Sequence, residues 1–402
     1  MVLKSILETC VEDQRNQIMQ TDLGVKRDSL EKIKLRKEFI TIITGIRRSG
    51  KSTLMHQLIH QLDEDFAYFH FEDPRIFGFS VEDFPKLEKV LGEKSYYFFD
   101  EIQNVPQWEL FVRKLHDQGK VICIAGSNAS LLSKELGTRL TGRNITKELF
   151  PFEYSEFCTF YSFNQDSASV TKYMNDGGIP LFLKTREITY LHQLLRDILY
   201  RDIIARHGIR NGKLVEELTL YLISNIAKPY SLNGLKKTFN LGSANSVSDY
   251  VSWLEDSYLF FTLPRFSWSL KAVAVNQKKI YSIDTGFAQA NSLSFTTDKG
   301  RLFENMIYLS LRRKFADLYY FREKGECDFV VKEKDKVTRV VQACSELNSD
   351  NIQRELNGLK EAMNFFGLQV GIIVTLDQTD SFSDGDKHIR VISANDWMKL
   401  DY

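Results

Sequence analysis

Gly45-Ile46-Arg47-Arg48-Ser49-Gly50-Lys51-Ser52-Thr53 decides the reading of this chain. The run has the form G-x-x-x-x-G-K-[ST], and its flanks turn a string match into a site. Before it stands Phe39-Ile40-Thr41-Ile42-Ile43-Thr44, a short β-branched run that predicts a buried parallel strand. After it, Leu54-Met55-His56-Gln57-Leu58-Ile59 predicts a helix. Gly45 and Gly50 allow backbone shapes that a Cβ would block, so amide N–H groups can approach phosphate oxygens. The positive end of the following helix adds to those donors. Lys51 supplies a point charge to the outer phosphates, and the Ser52 hydroxyl is suited to Mg2+. The whole run, with Arg47, Arg48, Ser49 and Thr53, is assigned to phosphate binding. A Gly/Ser-rich surface turn is the bland alternative, and strand-loop-helix context argues against it.

Strand and helix signals alternate from Glu38 to Asn128, the pattern of a parallel sheet with crossover helices. Ala67–Phe71, Ser95–Glu101 and Val121–Asn128 supply further strands, with helices over Val81–Leu91 and Trp108–His116. Asp100-Glu101 ends an aromatic strand, and ligands bind at the carboxyl edge of a parallel sheet. Asp100 is expected to share the Mg2+ shell with Ser52, and Glu101 to take a proton from an attacking water. Asn128 ends the next strand and is read as a phosphate or water sensor, with a helix cap as its equal alternative. Arg139 and Arg143 are candidates to stabilise phosphoryl charge in cis or in trans; a solvated surface pair is the alternative. The Asn-Lys-x-Asp string that reads guanine is absent, which favours ATP.

At 402 residues several domains are expected. With 43% hydrophobic and 26% charged residues the composition is that of a globular, water-soluble chain. Lys+Arg and Asp+Glu balance at 53 each, so the molecule as a whole has no charge with which to coat DNA or an anionic membrane. Cys10, Cys123, Cys158, Cys327 and Cys344 form no C-x-x-C pair, which suits neither a disulfide framework nor a zinc site. No apolar run reaches the roughly 18 residues of a membrane span, and residues 1–20 lack a signal-peptide block. The expected address is the cytoplasm.

G-I-R-R-S-G-K-S-T, the F-F-D-E-I-Q strand end, G-S-N-A-S-L-L-S and T-R-L-T-G-R together resemble prokaryotic AAA-type ATPases related to origin-recognition and STAND signalling ATPases. Gly177-Gly178-Ile179-Pro180-Leu181 resembles the G-G-x-P element of STAND proteins, which implies that Pro180 packs near adenine. The implied fold class is α/β: a P-loop NTPase parallel sheet with a helical lid, then a winged-helix module and a smaller α/β nuclease-like domain. The expected domains are an N-terminal helical segment (1–20), the ATPase core (21–152), lid and connector (153–212), winged helix (213–290) and a restriction-endonuclease-like domain (291–402).

Apolar spacing is helical from Leu194 to Ala227; Tyr230–Phe239, the Asn240-Leu241-Gly242 break and Ser246–Tyr258 then give helix-turn-helix spacing. Leu259–Leu263 and Lys279–Ile283 read as the paired strands of a wing. No Arg or Lys lies between Leu241 and Pro264, where base and phosphate contacts would need them. Docking of a protein is therefore preferred here over sequence-specific DNA binding. In the last third, Glu304 on a helix, Asp328 opening a strand and Gln342 on the next strand resemble a restriction-endonuclease-like core. Active members carry a Lys two residues after the last of these; here Cys344 stands there, and a thiol has no ammonium charge. A lapsed nuclease is expected, with Glu304, Asp328 and Gln342 as remnants, unless Lys324 or Lys332 reaches in.

The sequence thus predicts a Mg2+-dependent ATPase that acts as a switch or motor, with ATP and Mg2+ as ligands, a protein partner, and oligomerisation as an open matter. An ATP-controlled DNA-binding or DNA-processing protein is the alternative, and a signalling scaffold that uses ATP only to assemble is a third.

Overall fold

A computed structural model describes residues 1–127, 142–294 and 298–400. The chain divides into two compact units, Met1–Phe150 with Asp256–Tyr258, and Pro151–Glu255 with Leu259–Tyr402.

The first unit is built on a five-stranded sheet of β1 (Ile40–Thr44), β2 (Phe66–His70), β3 (Tyr96–Asp100), β4 (Val121–Gly126) and β5 (Asn144–Glu148). Their order is β2-β3-β4-β1-β5, and every pairing is parallel. Side chains alternate between two cores, as the two-residue period of a strand requires. Ile40, Ile42, Phe69, Tyr97, Phe99, Ile122 and Ile124 enter one core, which also takes Leu7 and Cys10 of the N-terminal helix Lys4–Gln20. Ile43, Tyr68, Phe98, Cys123 and Ala125 enter the other, with Leu54, Met55 and Leu58 of the helix Lys51–Ile59. Coverage on both faces explains why these strands read as unbroken apolar runs. β5 is the exception: it lies at the sheet edge, and its residues are mostly exposed.

The second unit holds two sheets. Pro229–Tyr230 (β6), Phe260–Pro264 (β7) and Lys278–Ser282 (β8) form an antiparallel trio in the order β6-β8-β7. The helices Gly212–Ser224, Leu232–Thr238 and Ala244–Asp256 belong to the same stretch of chain. The other sheet has six strands: β9 (Asp317–Arg322), β10 (Glu326–Glu333), β11 (Lys336–Ala343), β12 (Val370–Thr375), β13 (Asp380–Asp384) and β14 (Lys387–Ser393). Its order is β13-β14-β12-β11-β10-β9, with β11, β12 and β14 parallel and the rest antiparallel. Leu359, Ala362 and Met363 of the helix Ile352–Phe366 share a core with Val330, Val340, Ile373 and Val391.

The helical spacing expected over Leu194–Ala227 resolves into several pieces. Ile188–Asp197 passes into a π-helical stretch, Ile198–Ile204, and then a short helix, Ala205–His207, that Gly208 caps at a φ of 60°. Asn211 then caps the helix Gly212–Ser224, its side chain accepting from the Leu214 N–H. Among the described residues no helix is long and apolar enough to cross a membrane.

Candidate functional site

The strand register brings the chemistry of the first unit to one sheet edge. Asp100 pairs with Ala125, Ala125 pairs with Ile43, and the phosphate-loop run begins one residue beyond Thr44. His70 ends β2 opposite Asp100. The loop itself needs its glycines. A Cβ on Gly45 would stand 2.1 Å from the Leu149 carbonyl oxygen, and Gly50, the N-cap of the helix Lys51–Ile59, has a φ of 95°. Lys51 is nearly buried and folds back over the loop, donating to the Gly45 and Ile46 carbonyls at 3.0 Å each. Carbonyls are weak partners for an ammonium compared with an anion, so phosphate oxygens can displace them.

Asp100 is buried. Burial would raise its carboxyl, but the His70 ring, the Ser52 hydroxyl and the Lys51 charge outweigh this and hold its pKa below the ordinary aspartate value. His70 Nδ1 lies 3.6 Å from Asp100 Oδ2, an ion-pair distance, and the Tyr68 hydroxyl reaches the same oxygen at 3.5 Å. The other oxygen, Oδ1, is buried without a hydrogen-bond partner among the described residues, and so is Ser49 Oγ. Buried orphan oxygens are costly, and an ionised carboxylate beside a serine hydroxyl at the carboxyl edge of a parallel sheet suits a bound Mg2+. The residues fit the group.

Glu101 behaves differently from its neighbour. Its backbone is left-handed at φ 54°, a conformation that costs a non-glycine residue roughly 1 kcal/mol or more. Burial first, and then the Asp100 and Glu72 charges, push its carboxyl up, with Lys51 and Arg47 opposing. A raised carboxyl is a better proton acceptor near neutral pH. Glu101 Oε2 accepts from Gln103 Nε2, and from Ser127 N and Oγ at 3.4 Å each.

The expected residues divide as follows. Lys51, Ser52, Asp100 and Glu101 come together at the sheet edge. Arg47 pairs with Glu72 at 3.3 Å, and Arg48 takes a left-handed φ of 67° within the loop. Asn128 and Arg139 lie outside the described residues. Arg143 is not brought to the loop. It precedes β5 at the opposite end of the sheet, its carbonyl accepting from the Ile40 N–H, and its guanidinium pairs with Asp117 at 2.5 Å. At about 3.3 Å per residue, a strand's length separates it from the phosphate end, so a role in cis is corrected. Pro180 lies in the second unit as the first residue of the helix Pro180–Thr185. Its two glycines answer a packing demand: a Cβ on Gly177 would meet Asp284, and one on Gly178 would meet the Phe152 backbone.

Three further residues of the first unit serve the site without being among the expected site residues, although Gln103 stands within the F-F-D-E-I-Q strand end. Arg27 is buried and donates to the Ser49 carbonyl at 2.8 Å and the Phe150 carbonyl at 2.7 Å, bracing the loop from behind. Gln103 holds Glu101, and His70 flanks Asp100. Only the β2 register, not any spacing in the sequence, reveals the last of these.

In the second unit, Glu304 on the helix Lys299–Arg312, Asp328 on β10 and Gln342 on β11 do converge. Gln342 Oε1 accepts from the Asp328 N–H at 3.2 Å, and its Nε2 donates to Glu355 at 2.6 Å. Of the two lysines that could in principle reach in, Lys324 lines the cleft that holds these acids, and among the described residues neither it nor Lys332 is ion-paired with them. Lys279 of β8 reaches the acids instead, 2.9 Å from Glu304, 2.9 Å from Asp328 and 2.8 Å from Glu326.

Comparison with known proteins agrees with this geometry. Residues 37–158 match a family described as AAA domain, and residues 167–298 match a domain of unknown function (DUF8612). The chain is 35% identical to the uncharacterized protein MJ1544 of Methanocaldococcus jannaschii over 359 residues, 82% of this chain and 80% of that one. It is 28% identical to an uncharacterized protein of Haemophilus influenzae over 330 residues, covering 75% of this chain and 82% of the relative. Among solved structures, the Thermotoga maritima RuvB Holliday junction branch migration motor aligns at a TM-score of 0.30 with 16% identity, over 65% of this chain and 88% of that one. That superposition is too loose to carry an argument.

Proposed function

That this chain belongs to the family of the Methanocaldococcus jannaschii relative, with a P-loop AAA domain over residues 37–158, is the premise from which we propose its function. It is a Mg2+-dependent ATPase that works as a switch, coupling nucleotide turnover to a protein partner. One observation carries the reading: the phosphate loop and the Asp100-Glu101 pair share one edge of a parallel sheet, with opposite pKa shifts on the two acids.

Each side chain has a distinct task. The loop amides and Lys51 hold the phosphates, while Ser52 and Asp100 hold the metal. Mg2+ would offset charge on the phosphoryl oxygens. Glu101 orients a water and accepts its proton as that water attacks the terminal phosphoryl group, and Gln103 and Ser127 fix the carboxylate until then. Pro180 is assigned to the adenine side and Asn128 to sensing the phosphate. Arg139, in cis or in trans, and Arg143, from a neighbouring copy, are assigned to stabilising charge on the phosphoryl group. The domain limits we propose remain 1–20, 21–152, 153–212, 213–290 and 291–402. The trio β6-β8-β7 with its helices supports a winged helix, and the Glu304, Asp328 and Gln342 cluster supports a lapsed nuclease-like domain. The absence of Arg and Lys from Leu241 to Pro264 supports a protein rather than DNA as the docking partner.

A phosphate-release assay on purified full-length protein tests the reading. Wild type turns ATP over with Mg2+ and not with EDTA, and Glu101→Gln binds a fluorescent ATP analogue but releases little phosphate. Equal turnover in the two proteins removes the base assignment; no binding by either removes the ATPase reading.

A further inference from the structure

Lys279 is the most deeply buried charged side chain of the second unit, at 1% exposure, on a strand that the sequence presents only as half of a wing. An ammonium has three N–H bonds. Here three carboxylates receive it: Glu304 Oε1 at 2.9 Å, Asp328 Oδ1 at 2.9 Å and Glu326 Oε1 at 2.8 Å. They come from a helix and from β10, and they line a cleft of about 810 Å³.

The surroundings fix this arrangement. The Tyr281 hydroxyl donates to Glu304 Oε1 at 2.7 Å, and its ring stacks on Tyr308 with centroids 4.0 Å apart. Asp328 Oδ2 accepts from the Ala343 N–H at 3.1 Å, and Arg354 covers Glu355 at 2.5 Å. Burial alone would lower the Lys279 pKa, but the Asp328 and Glu304 charges more than reverse this, and the ammonium stays charged.

We propose that Lys279 is a tethered cation standing where a divalent metal would sit among Glu304, Glu326 and Asp328, so that the cleft takes up no metal until that charge is removed. Two cations cannot occupy one point between the same oxygens, and the ammonium is delivered by the fold at no cost in concentration. The same acids that would ligate a metal are thereby turned to binding β8. The inference deepens the lapsed-nuclease reading of residues 291–402 and rests on it for what the cleft once did; the distances carry the rest.

The test is a Mn2+ titration of nucleotide-free full-length protein at pH 8, followed by electron paramagnetic resonance. Wild type and Lys279→Arg show no site that Asp328→Asn abolishes. Lys279→Met gains one Mn2+ per chain, at least tenfold tighter than anything in wild type, and loses it in Lys279→Met/Asp328→Asn. If Lys279→Met does not fold, Lys279→Met/Glu326→Gln, which removes one charge of each sign, takes its place. A wild-type Mn2+ site lost in Asp328→Asn overturns the proposal, as does a folded Lys279→Met that binds none. Plasmid cleavage by wild type with Mn2+, abolished by Asp328→Asn, sinks the lapsed-nuclease reading as well; binding without cleavage sinks only the tethered cation.

Discussion

Two buried lysines serve this chain in opposite ways. Lys51 is 5% exposed and Lys279 is 1% exposed, so both have lost most of their water. Lys51 donates to main-chain carbonyls, groups that an arriving anion outbids. Lys279 donates to three carboxylates, which no incoming group readily replaces. Burial alone therefore does not mark a catalytic lysine. A buried lysine that donates to main-chain carbonyls and one ringed by three carboxylates call for different tests.

The sharpest challenge to this contrast falls on the acid beside Lys51. Glu101→Gln should lower turnover by about 10²–10⁴-fold while leaving nucleotide binding within a factor of a few. Parallel phosphate-release and binding assays read both numbers, and a matching fall in binding would mean that Glu101 builds the loop rather than serving the reaction. Next in size, Lys279→Met strands three acids without their cation and should destabilise the second unit by about 3–5 kcal/mol. Urea unfolding followed by fluorescence measures it; a loss below about 1 kcal/mol would show that Lys279 is not the satisfied member of the pair. Lys51→Ala should weaken ATP-analogue binding by about ten- to a hundredfold, since a charge-assisted hydrogen bond is worth about 1.5–3 kcal/mol. Urea unfolding of the same variant separates lost binding from a lost fold.

The smallest effect is on pH. Glu304 is raised from 4.5 in the unfolded chain to about 7 in the fold. A carboxyl raised on folding adds stability that is complete below about pH 4.5 and is lost as pH rises through about 7. Glu304→Gln cannot ionise, so its stability should fall less than that of wild type across this interval. Thermal midpoints at pH 5 and pH 8 test the sign, and an unchanged difference would mean that Lys279 neutralises Glu304 completely.

Much of the first unit was legible in the sequence because its strands are covered on both faces. Ile40–Thr44, Tyr96–Asp100 and Val121–Gly126 stand out as apolar runs for that reason, and the glycine loop falls where the first of them ends. The observed ends differ from the expected ones by a residue or two, since a run of apolar residues does not say where pairing stops. The partners of the acids were not legible. Gln103 stands in the F-F-D-E-I-Q stretch, but the string does not say that it donates to Glu101; Arg27 lies in no motif, and His70 meets Asp100 only through sheet register. Arg143 misled because sequence proximity to a strand does not tell which end of the sheet the residue occupies. Lys279 had a faint signal: Lys-Lys-Ile-Tyr-Ser puts Lys279 and Tyr281 on one face and Ile280 on the other. A strand that short with both faces buried must hide a charge, and a hidden charge needs an opposite one. Nothing in the chain order says that the opposite charges wait 25 to 49 residues downstream.

The placement of Lys279 also limits how the second unit can be dissected. A fragment begun at residue 291 would keep Glu304, Glu326 and Asp328 and discard the ammonium they surround, and a fragment ended at 290 would expose a lysine shaped for the interior. Gene fusions or truncations that respect the apparent seam between the trio and the six-stranded sheet would sever their shared charge, so the two should be inherited, expressed and exchanged as one piece.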